Sequence, residues 1–229
     1  KSDAPNPLEL FQIWLNLPAR SKMAAPNFTM FWAEDIPRLR SLDAEGRETE
    51  LACIAGRLPL DAGAGAAAGE LEPLAPPPAS WAAQADADIA IWTVRMAPGA
   101  RWTLPAAKGE STRRMLYFFA GATVQVGGRS IDGHAAIELA AGTDVELANG
   151  DAVGEFLMLQ GRPIAEPVAQ YGPFVMNTQA EIMQAMADYR RTQFGGWPWP
   201  DGAPVHGRET GRFARHPDGR EERPETAAA

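Results

Sequence analysis

From residue 88 to residue 159 the sequence is a chain of short apolar runs cut apart by glycine turns, and this pattern constrains the fold more than anything else in it. Residues 89–96 are apolar at both alternating sets of positions, as in a strand covered on both faces. Residues 113–126, RRMLYFFAGATVQV, are apolar but interrupted by Gly121, which predicts a bend or two strands. Gly127-Gly128 turns the chain back to 129–131, and runs at 137–139, 144–147 and 154–159 follow at short spacing. Many short strands with tight turns and no repeat predict an all-β fold, a sandwich or jelly roll.

Upstream, residues 8–17, LELFQIWLNL, place Phe11, Ile13, Leu15 and Leu17 on one face of a predicted strand and Gln12, Trp14 and Asn16 on the other. Pro18 ends it. Two more strands are predicted at 28–33, stopped by Asp35-Ile36-Pro37, and at 49–55. Residues 57–80 are dominated by Ala, Gly and Pro, a composition that predicts a surface loop; their glycines do not form the phosphate-cradling G-x-G-x-x-G pattern.

One helix is predicted, over 178–191. Thr178 and Glu181 have the spacing of a capping box, in which each side chain bonds the other's backbone N–H. Ile182, Met186 and Tyr189 recur at helical spacing as an apolar stripe, Arg190 and Arg191 suit the negative end of the dipole, and Gly195-Gly196 is the expected stop. Before the cap, Gly172-Pro173 predicts a turn, and Phe174, Val175 and Met176 offer apolar anchors. The element reads as a docking helix held by a hydrophobic clip. The tail after it, 196–229, carries Trp197 and Trp199 between prolines and then balanced charge, and is expected to run extended over the surface.

Chemistry is hard to find. With 21 basic against 29 acidic residues the net charge is −8, so direct contact with a nucleic-acid backbone is not expected. A single cysteine, Cys53, excludes an internal disulfide and suits a reducing cytoplasm; no stretch is apolar for long enough to suggest a membrane partner. Cys53 lies in an apolar run with no activating neighbour and is expected as a small core residue. The three histidines, His134, His206 and His216, fall in turns and tail and are expected at the surface. Gly109-Glu110-Ser111 does not continue as a nucleophile elbow. No catalytic, cofactor-binding or metal-binding residue is assigned.

The strand pattern resembles the barrels of the cupin family, whose first motif is G-x5-H-x-H-x3,4-E-x6-G. With Gly99 as the first glycine, Pro105 and Ala107 stand at the histidine positions, and counting back from Gly121 puts Arg114 at the glutamate position. In the second motif, P-x-G-x2-H-x3-N, Gly142 and Asn149 match, while Ala140 replaces the proline and Val145 the histidine. The spacing of a cupin-type barrel persists without its ligands, which must be imidazole or carboxylate for a divalent metal.

A narrower resemblance lies in GPFVMNT at 172–178, including Gly172, Pro173, Phe174, Asn177 and Thr178, followed by the helix with Ile182, Met186 and Tyr189. It is similar to the C-terminal signature of the pirin family. FQIWLNLP at 11–18, with Phe11 and Trp14, resembles the pirin entry into the second domain. The resemblance implies a bicupin, two jelly-roll barrels (double-stranded β-helices) face to face. Iron and quercetin 2,3-dioxygenase-type or regulatory activity would belong to an N-terminal cupin domain that this chain lacks.

The expected organisation is a linker over 1–18, a cupin-like domain over 19–195 and the tail. Its expected role is non-catalytic support of the N-terminal domain, which is the expected partner alongside a possible further protein. The competing reading is a free-standing metal-free small-molecule binder whose barrel is lined by Trp92, Trp102 and Phe118.

Overall fold

The computed structural model describes residues 3–60 and 69–225, so most of the glycine-rich stretch 63–69 lies outside the described residues. Residues Asp35–Ile164 make one compact unit; those up to Glu34 and from Ala165 onward make another.

The first unit holds β1 (Arg38–Leu42), β2 (Glu48–Ala55), β3 (Leu58–Leu60), β4 (Gly69–Leu71), β5 (Ala90–Met96), β6 (Arg101–Leu104), β7 (Arg113–Ala120), β8 (Thr123–Val126), β9 (Arg129–Asp132), β10 (Ala135–Leu139), β11 (Val145–Asn149) and β12 (Gly154–Gly161). They form a six-stranded sheet, β1-β2-β5-β12-β7-β10, and a four-stranded sheet, β6-β11-β8-β9, with β3 and β4 paired separately. Adjacent strands are antiparallel throughout. The alternation of side chains about the strand explains why the sheets close on each other: β7 turns Arg114, Leu116 and Phe118 inward, β8 Val124 and Val126, β11 Val145 and Leu147. These meet Trp92, Val94, Met96, Phe156 and Met158 from the other strands in one core, where Phe118 stacks on Phe156 at 4.9 Å. This is the cupin-type jelly roll.

Gly121 divides the long apolar run into β7 and β8, as its spacing predicts. The second face of β5 is only half covered, with Ile91 and Thr93 half-buried and Arg95 exposed. Cover there is local: Ile91 packs against the small cluster of Ala55, Trp81, Ala87 and Ile89. The loop predicted over 57–80 is partly ordered as the β3–β4 pair.

The turn from β1 to β2 is closed by Asp43. Its Oδ1 accepts from the backbone N–H groups of Glu45 and Arg47, and its Oδ2 from Arg47 Nε and the backbone N–H of Arg101. Loss of hydration pushes this carboxyl up, but the N–H groups of Arg47 and Arg101, the Arg47 side chain and the N–H of Glu45 together hold it down at about 2, against an ordinary 3.8. A carboxyl depressed in the folded state stabilises fully above pH 3.8, and that stabilisation is lost as pH falls towards 2. Asp43→Asn is therefore expected to flatten the acid limb of the stability curve in that window, measured by thermal melts at stepped pH. An unaltered limb would assign it to other carboxylates.

The second unit contains a 3-10 turn at Ala19–Ser21, then β13 (Ala169–Tyr171), β14 (Phe174–Met176), α1 (Gln179–Thr192), and the short pair β15 (Ala214–Arg215) and β16 (Glu221–Glu222). Among the described residues, neither 8–17 nor 28–33 is a strand. A strand needs a neighbour to take its backbone hydrogen bonds, and among the described residues neither segment belongs to a sheet. The apolar alternation of 8–17 instead leaves Leu8, Leu10, Phe11, Ile13, Trp14 and Leu15 exposed. The tail is less featureless than its composition suggests, since β15 and β16 pair as a hairpin.

Candidate functional site

Two places carry the residues singled out by sequence, one at an end of the barrel and one around α1. At the barrel end, the structure gathers the cupin motif positions. Arg114 Nη2 donates to the carbonyl of Pro105, its Nη1 to those of Ala140 and Thr143 at 3.1 Å each, and its Nε to Gln160 Oε1 at 3.0 Å. Ala107 N donates to Ala141 O, and Val145 pairs across the sheet with Leu104, the neighbour of Pro105. Gln160 Nε2 passes the network to Asp88 Oδ1 at 3.1 Å, and Asp88 Oδ2 also accepts from Thr112 Oγ1 and Gly109 N. Arg114 is 1% exposed. Burial lowers its affinity for the proton, while the carboxylates of Asp88 and Asp144 raise it.

These residues do not fit a divalent metal. Pro105, Ala107 and Val145 have no side-chain donor atom, and Arg114 brings a positive charge to the place where a ligand would have to be neutral or negative. Among the described residues, no three His, Cys, Asp or Glu side chains converge as a metal set.

Asn149, the matching second-motif residue, is buried and donates to the carbonyls of Met96, Ala97 and Ala152, tying the end of β11 to two loops. The aromatics that a ligand would need are already packed: Trp92 and Phe118 are core residues, and Trp102 lies against the core. Cys53 is buried, donates to Gly56 O at 2.9 Å, and burial pushes its thiol up to about 11, so it stays protonated and unreactive.

Around α1, the signature residues form one cluster. Gly172, with φ +53°, and Pro173 connect β13 to β14. Asn177 Nδ2 bonds Glu166 Oε2 and Pro167 O, and the carboxylate of Glu181 accepts from the backbone N–H groups of Asn177 and Thr178, while Thr178 Oγ1 accepts from Glu181 N. The capping box is thus complete. Ile182 and Ala185 pack on Ala169 and Met176, with Phe174 and Met186 against them. Tyr189 lies at the edge of the stripe, 42% exposed, with its ring against Phe174 and Phe194. The helix ends three residues before the predicted glycine stop. Gln193, Phe194, Gly195 and Gly196 all have positive φ, a left-handed turn that folds Phe194 back on the helix. Phe11 and Trp14 do not join this cluster's buried core and are 42% and 58% exposed.

A groove of about 1190 Å³ runs beside α1, lined by Phe28, Phe174, Trp197, Phe213 and His216 among others. His216 is not at the surface as its tail position predicts; it is 7% exposed. Its Nδ1 lies 3.1 Å from Arg220 Nη2, and its Nε2 lies 3.3 Å from Glu222 Oε1 without making a hydrogen bond. His134 and His206 are exposed, His206 resting against Trp199 and Phe213.

Sequence reading missed the roles of Arg114 and His216. Arg114 had a signal, because it is in phase with Leu116 and Phe118, so strand alternation alone directs it inward. His216 had none, since its burial depends on residues 28 and 220–222.

A cupin-type barrel whose motif positions offer no metal donor defines the class. Residues 91–195 match the pirin C-terminal cupin domain. The chain is 32% identical over 187 residues to a putative quercetin 2,3-dioxygenase of Pseudomonas aeruginosa, covering 79% of this chain and 57% of that protein. It is 28% identical over 203 residues to human pirin, covering 82% and 58%. A crystal structure of quercetin 2,3-dioxygenase from Acinetobacter baumannii superposes with a TM-score of 0.56 at 32% identity, covering 80% of this chain and 56% of that one. The chain spans a little over half the length of the relatives it matches. No helix among the described residues is long and apolar enough to cross a membrane.

Proposed function

We propose that this chain acts as the non-catalytic C-terminal cupin half of a pirin-type protein, docking on and supporting an N-terminal cupin domain that carries the metal and any quercetin 2,3-dioxygenase-type or regulatory activity. The observation that carries it is the run Leu8, Leu10, Phe11, Ile13, Trp14 and Leu15, six large apolar side chains exposed within eight positions. Exposed apolar runs of this kind are frequent at interfaces, which supports the reading. The greater length of the relatives supports a further domain as the occupant.

The test mixes the chain with the part of the Pseudomonas relative that this chain does not match and follows association by analytical ultracentrifugation, with iron assayed in each component. Association, with iron only in the added domain, is the expected result. Trp14→Asp should weaken it at least tenfold without moving the chain's melting temperature, because Trp14 is already exposed. No association, or association indifferent to Trp14, would overturn the reading.

A further inference from the structure

We infer that Arg114 takes over the structural part of a cupin metal ion, as a fixed internal cation that gathers the oxygen atoms of three separate chain segments at the barrel end. The segments are the residue after β6 (Pro105), the β10–β11 turn (Ala140 and Thr143) and β12 (Gln160). All four acceptors are uncharged oxygens, held by a side chain that is 1% exposed. Counted back from Gly121, the position is that of the cupin motif's glutamate, so a cation supplied by the chain itself stands where the motif has its anionic ligand. Only a planar fork with five N–H donors can reach these directions at once; a lysine ammonium is a compact point charge with three donors. The charge is balanced through Gln160 by Asp88, which is itself fixed by Thr112 and Gly109. Removing the guanidinium leaves the carbonyls of Pro105, Ala140 and Thr143 without this shared donor and unties the three segments it joins. It also leaves a cavity shaped for a guanidinium ion.

Chemical complementation tests this. Arg114→Ala is expected to lower the melting temperature of the chain by roughly 6–12 °C. Millimolar methylguanidinium should recover more than half of that loss, while leaving the unsubstituted chain unmoved. Methylammonium, iron(II) and zinc at the same concentration should recover none. Arg114→Lys should fall between the alanine variant and the unsubstituted chain. Should Arg114→Ala prove insoluble, Arg114→Met and Arg114→Lys decide: the inference requires the lysine variant to melt higher. A methionine variant as stable as the unsubstituted chain would overturn it, as would equal recovery by methylammonium or stabilisation of the alanine variant by a divalent metal.

Discussion

Ile182→Asp is expected to destabilise the packing of α1 by about 4 kcal/mol, raising hydrogen-exchange rates of its amides roughly a thousandfold. Ile182 is 2% exposed and touches the β13–β14 hairpin cluster. Its removal forfeits about 2–3 kcal/mol of apolar burial. A carboxylate in its place must either stay charged without a partner or bind a proton, and each adds further cost. One effect opposes this: the position is in the first turn of α1, where the dipole favours an anion by 0.3–1 kcal/mol. That is too small to reverse the outcome. Met186→Asp, at a half-buried position, should cost about 1–2 kcal/mol, and Tyr189→Asp no more than the loss of its two ring contacts, about 1 kcal/mol. An order with Met186 or Tyr189 first would mean that the helix presents a different face to the hairpin.

The same series shows what could be read from sequence. Helical spacing finds Ile182, Met186 and Tyr189 as one stripe, but it cannot rank them, because rank depends on where the hairpin sits. Ala185, buried against the hairpin, is invisible to a search for large apolar residues. The capping box was legible because both partners are within three residues. The strands from β7 to β12 were legible for the same kind of reason, as turns and alternation are local. Residues 8–17 mislead because alternation describes a strand only where an edge accepts it. At the barrel end, motif spacing pointed to Pro105, Ala107, Arg114 and Val145, of which Arg114 alone has a polar side chain. What Arg114 holds depended on carbonyls 9 to 29 residues away in sequence, which no local pattern encodes.

Gly56→Ala is expected to be the costliest of the glycine substitutions, at roughly 3–5 kcal/mol. Gly56 has φ +75°, where a side chain costs about 1–2 kcal/mol. Its added Cβ would also fall within the van der Waals radius of the Ile89 carbonyl oxygen, which is backbone and cannot rotate away. Relieving that overlap means moving the turn after β2 away from the start of β5, at the further 1–3 kcal/mol typical of overpacking. The shift would also disturb two bonds, because Gly56 O accepts from Cys53 Sγ and from Trp92 Nε1. Gly46 supplies the control. Its φ of +76° is nearly identical, but nothing lies within 4 Å of its added Cβ. Gly46→Ala should therefore cost only the conformational part. The difference in melting temperature between the two variants isolates the clash, and at roughly 2–4 °C per kcal/mol it should exceed about 4 °C. Equal melting temperatures would show that β5 yields freely at Ile89. That would mean the six-stranded sheet is looser than its register implies, and that the tight closure of the barrel resides instead in Asn149 and Arg114 at its ends.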